Sequence, residues 1–110
     1  MTIDELQRLV AEWSGRNFPA ELTRKRLQKA LGVCEEAGEL AHAILKWDQG
    51  IRGTVEEHIA AAKDAIGDAV VYVMDLCATQ GWSLMEIVEQ TVLSVTKRDW
   101  TKDPKAGGIE

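Results

Sequence analysis

The stretch "CEEAGELAHAILKW", residues 34–47, crowds Glu35, Glu36 and Glu39 into little more than one turn of a helix-forming segment. His42 and Lys46 follow. Like charges one turn apart repel, by roughly a few tenths of a kcal/mol per exposed pair. Either water screens that repulsion on a solvated face or a cation removes it. Downstream, "KDAIGDAVVYVMD", residues 63–75, carries Asp64, Asp68 and Asp75 at spacings of four and seven, which is one narrow helical stripe. The rest of that segment is apolar nearly all round, as in a helix buried on most faces. A buried carboxylate needs a hydrogen-bonding partner, a raised pKa or a metal. Two antiparallel helices joined by a short loop can face each other. Glu36 and Glu39 would then converge with Asp64 and Asp68. Such oxygen ligands suit a hard divalent cation like Mg²⁺, which keeps some waters and meets substrate phosphates. The bland alternatives are a solvated face for the glutamates and Asp64, and a Lys or Arg partner for Asp68. Asp75 reads as a structural or interface acid.

The elements that must hold these residues are marked by three capping boxes, Thr2-Ile-Asp-Glu5, Thr54-Val-Glu-Glu57 and Ser83-Leu-Met-Glu86. In each, the hydroxyl can accept from the N–H three residues on. A further helix begins after "NFPAELT", where Pro19 sits in a turn or first-turn position. Glycines in "DQGIRGT" end it, and Gly81 ends the next. The reading is helices near 3–14, 21–48, 55–80 and 84–98, with no strand alternation. The class is all-α. On the wheel of the 34–47 helix, Val33, Ala37, Leu40 and Ile44 form the apolar arc; Glu35, Glu39, His42 and Lys46 lie opposite, with Glu36 on the border.

One domain of residues 1–100 with a loose tail at 101–110 suits a chain of 110 residues. A net charge of -5 argues against nucleic acid as the partner. No apolar run of about 18 residues exists to span a membrane. The start "MTIDELQRLV" lacks a signal-peptide apolar region, so a cytoplasmic protein is expected. Cys34 and Cys77 lie among apolar residues and read as two buried thiols.

These acidic motifs resemble those of the MazG-like all-α nucleoside triphosphate pyrophosphohydrolases, a superfamily that includes dimeric dUTPases. The family pattern is EExxE followed by ExxD. "EEAGE" matches the first half, and Asp68 of "DAIGD" matches the final Asp. The Glu of ExxD is replaced by Ala65, with an acid one residue earlier at Asp64. "EWSGRNFP" and "KRDW" extend the likeness over most of the chain. The resemblance implies that Glu36, Glu39 and Asp68 ligate Mg²⁺ (or Mn²⁺ in its place), with Asp64 as helper. Glu35 would join the metal shell or deprotonate the attacking water. An NTP or dNTP would yield the monophosphate and pyrophosphate, as in house-cleaning of the nucleotide pool. Lys97, Arg98 and Lys46 would meet phosphates; Trp13, Asn17 and Phe18 would wall the base. Family members are dimers, or tetramers built from dimers. Self-association is also expected because a helix pair cannot enclose a third helix that is apolar all round; a four-helix bundle would complete it.

Two rivals are weighed. Glu39-Leu-Ala-His42 is an ExxH motif of di-iron bundles, but "EEHIAA" around His58 offers no second one. The other is a catalytically inactive helical interaction or regulatory protein of the same fold, which Ala65 in place of Glu supports.

Overall fold

Thr2, Thr54 and Ser83 each accept a hydrogen bond from the backbone N–H three residues on, at Glu5, Glu57 and Glu86. Each cap satisfies one orphan donor and sets a helix start. The computed structural model describes residues 1–105, 107 and 108. Its helices are α1 (Ile3–Asn17), α2 (Leu22–Gln49), α3 (Val55–Gln80) and α4 (Leu84–Val95). Among the described residues there is no strand, so the chain is all-α. No helix is long and apolar enough to cross a membrane.

Two helix ends differ by three residues from the sequence expectation, and both ends of α2 differ by one. α1 continues to Asn17 rather than 14, because the Phe18 N–H closes on the Ser14 carbonyl and Asn17 Nδ2 donates to the Trp13 carbonyl. α4 stops at Val95 rather than 98. There the Thr96 hydroxyl donates to the Val92 carbonyl, and the chain then runs through turns around Asp99. Part of the expected tail, residues 106, 109 and 110, lies outside the described residues.

α2 and α3 form a long hairpin. Gly50 and Gly81 close these two helices in the left-handed region, with φ of 69° and 71°. The buried His58 ring meets the Ile51 carbonyl at 2.9 Å and straps the connecting loop. α1 lies across the far end of α3, where Ile3, Leu6 and Val10 pack on Met74, Cys77 and Leu84. Gln7 fixes that corner, donating to the Trp82 carbonyl and accepting from the Leu84 N–H.

The buried face of α2 is Lys29, Gly32, Glu36 and Ala43. The apolar arc read from the wheel is rotated away from it by one residue, about 100°. Ala37 and Ile44 are exposed, while Val33 and Leu40 are half-buried. The reason is on α3. A Cβ at position 32 would overlap the Tyr72 ring, so only glycine lets that ring lie against the α2 backbone. The same rotation exposes Cys34, which corrects the expectation of two buried thiols; Cys77 is buried, and burial pushes its thiol pKa up. Within one chain α3 is also less enclosed than its composition suggests. Ile66 and Val70 are open to solvent, as are Val88, Val92 and Leu93 of α4.

Candidate functional site

α2 and α3 run antiparallel in a simple register. Lys29 meets Asp75, Gly32 meets the Tyr72 ring, and Glu36 lies in the field of Asp68. As the position on α2 rises by seven, that on α3 falls by seven. Two helical turns, about 10.5 Å, therefore separate an acidic level at Glu36 and Asp68 from an ion-pair level at Lys29 and Asp75. Tyr72 lies between them.

At the acidic level, carboxylate oxygens of Glu35, Glu36 and Glu39 all lie within 4.8 Å of one another. Glu35 and Glu39 are exposed; Glu36 is only 6% exposed, and its Oε2 is buried without a hydrogen-bond partner. Burial pushes the Glu36 carboxyl from its ordinary 4.5 up to about 7, helped by its contact with Glu39 and by the charges of Glu39, Asp68 and Glu35. Unlike a fully exposed acidic face, this site buries one carboxylate oxygen, Glu36 Oε2, without a protein hydrogen-bond partner. Burial also raises the Tyr72 phenol, and Glu35, Glu36, Asp68 and Glu39 raise it further. Tyr72 thus keeps its proton as a donor beside four acids. Among the described residues the ion pairs are Lys29–Asp75 and Lys102–Asp99, and neither supplies the Lys or Arg partner considered for Asp68.

Both levels line one cleft of about 450 Å³, together with Trp13, Phe18, Gln28 and Val71. Trp13 and Phe18 meet edge to face, with centroids 5.5 Å apart at 73°. A more open hollow lies between α1 and the α3–α4 corner, lined by Gln7, Arg8 and Trp82 among others, and gathers no comparable cluster.

Compared with known proteins, the chain matches no family model, no curated protein and no solved structure. Its chemistry must be argued from the cleft itself.

The hairpin groups Glu35, Glu36 and Glu39 with Asp68 close enough for its charge to act on Glu36, and Trp13 of α1 and Phe18 at its end line the same cleft. Other sequence candidates lie elsewhere in this chain. Asp64 and Asp68 are both exposed and both outside the Glu35–Glu36–Glu39 group, but Asp68 lines the cleft and Asp64, one turn earlier, does not. Asn17 spends its amide capping α1. Lys46 Nζ donates to Gln49 Oε1 at the C-terminal end of α2. Lys97 and Arg98 are exposed in the turns after α4. Sequence reasoning missed Lys29 and Tyr72 and gave Asp75 no role in the cleft. A signal existed: Lys29 stands seven residues before Glu36, and Asp75 seven after Asp68. It becomes readable only once the register pairs the two helices.

Proposed function

We propose that this chain is a Mg²⁺-dependent nucleoside triphosphate pyrophosphohydrolase of the MazG-like kind, converting an NTP or dNTP and water to the monophosphate and pyrophosphate. The observation that carries the reading is the buried, unpartnered Oε2 of Glu36 among Glu35, Glu39 and Asp68. An all-carboxylate donor set with open sides fits Mg²⁺ and leaves room for phosphate oxygens. Glu36, Glu39 and Asp68 would hold the ion, and Asp64 would help from the adjoining turn. When bound, Mg²⁺ neutralises triphosphate charge and polarises the α-phosphorus. Exposed Glu35 orients the attacking water and takes its proton. The Tyr72 hydroxyl donates toward a phosphate oxygen. Trp13 and Phe18 wall the base. Lys46, Lys97 and Arg98 do not line the cleft and would meet phosphate oxygens that project beyond it. Removal of damaged nucleotides from the pool, in the cytoplasm, is the role this chemistry suits.

The deciding experiment measures pyrophosphate release from a panel of NTPs and dNTPs with Mg²⁺, with Mn²⁺ and with chelator. Metal-dependent release with the monophosphate as co-product is expected. A folded chain that releases no pyrophosphate across the panel would overturn the reading.

One observation favours the inactive-protein alternative: Ala65 is buried where the family pattern has Glu, and Asp64 stays outside the acid cluster. Calorimetric Mg²⁺ binding separates the two, since an inactive relative has no need of the ion.

The chain is also proposed to act as a homodimer or a dimer of dimers completing a four-helix bundle. Ile66, Val70, Val88, Val92 and Leu93 form apolar surface that a second copy would cover. Light scattering should give a mass of at least twice 12.2 kDa. A monomer at micromolar concentration would refute this.

A further inference from the structure

The acid cluster occupies one end of the cleft; the other end holds an ion pair. Lys29 Nζ and Asp75 Oδ2 are 3.0 Å apart, with side chains 6% and 5% exposed, and both residues line the cleft. Such a pair adds little net stability, because desolvation offsets the attraction. Its place in a cavity wall suits recognition better. The Lys29 ammonium also sits 5.0 Å from the Phe18 ring centroid. The ion pair engages Asp75 through Oδ2, and a carboxylate has a second oxygen that can accept. The pair therefore sets a donor-only group beside an acceptor with lone pairs to spare. Trp13 and Phe18 supply aromatic surface against which a flat ring can lie. The span from acids to ion pair, about 10.5 Å, suits a nucleotide lying with its phosphates at one end and its base edge at the other.

We propose that Lys29 and Asp75 read the base edge and select bases with an exocyclic amino group beside a ring-nitrogen acceptor, as in cytosine and adenine. This rests on reading the cleft as a nucleotide site. The amino group donates to Asp75 Oδ1, and the ring nitrogen accepts from Lys29 Nζ. Uracil reverses the pattern: its ring N–H faces the ammonium and its carbonyl faces the carboxylate. A site built to satisfy one pattern strongly rejects the other, because its buried polar groups are left unpaired.

The test compares binding of deoxycytidine and deoxyuridine to the full chain without metal, followed by NMR shifts suited to weak ligands. The nucleosides carry no phosphate for the acids to repel. Deoxycytidine should bind about tenfold more tightly. The double variant Lys29→Met with Asp75→Leu, shown folded by circular dichroism, should lose that preference. Equal binding of the two nucleosides, binding of neither at millimolar concentration, or an unchanged preference in the double variant would each overturn the proposal. Pyrophosphate release from dCTP and dUTP is measured separately. A deoxycytidine preference without release leaves base reading standing and removes the hydrolase. Release from both triphosphates at equal kcat/KM does the reverse.

Discussion

Asp68→Ala and Glu36→Gln should each lower metal-dependent pyrophosphate release by about 10³-fold while the chain stays folded. The magnitude is that of removing one preorganised electrostatic partner from a phosphoryl-transfer site. The two substitutions act differently on the metal-free protein, and that difference tests the site independently of activity. Glu36 ionises near 4.5 when exposed and near 7 in the fold. Between those values the folded state holds a proton that the unfolded state has released. Stability is therefore lost as pH rises from about 4.5 to about 7, and the full penalty persists above 7. Glu36→Gln removes the charge, so thermal melts of the metal-free variant should show a flatter pH profile over that window and a higher Tm at pH 8. Asp68→Ala removes one of the charges that raise Glu36, so it should shift the profile toward lower pH. Mg²⁺ should raise the Tm of the wild-type chain at pH 8 and leave Glu36→Gln much less affected. A wild-type profile already flat between pH 4.5 and 7, or full activity in either variant, would remove the metal assignment.

The second large effect concerns the other end of the cleft. Lys29→Ala or Asp75→Ala alone should destabilise the chain by about 3–5 kcal/mol, because each leaves one buried charge without its partner. That is a large share of the roughly 5–15 kcal/mol that stabilises a typical domain. Replacing both, Lys29→Met with Asp75→Leu, should be close to neutral or stabilising, since no charge remains to desolvate. Urea unfolding of the four proteins in a double-mutant cycle gives the coupling directly. Single variants that lose less than about 1 kcal/mol would mean that water reaches the pair and that the cleft floor is wetter than its burial indicates.

The helices were legible in the sequence because their signals are local. A hydroxyl and a glutamate three residues apart mark a start, and a glycine able to adopt positive φ marks an end; neither depends on a distant partner. The all-α class and the starts after Thr2, Thr54 and Ser83 follow from such signals alone. The acid cluster was legible for the same reason, since Glu35, Glu36 and Glu39 are neighbours on one helix. Which of the three would be buried was not. The wheel put Glu36 on a border, because side-chain polarity assigns the inward face to Val33, Ala37, Leu40 and Ile44. The tertiary structure turned that face by one residue, since the Tyr72 ring fits only against Gly32. That single close approach buries Glu36 without a partner, exposes Cys34 and aligns Lys29 with Asp75. Those consequences depend on the pairing of residues some forty positions apart, and no periodicity within one helix carries that information.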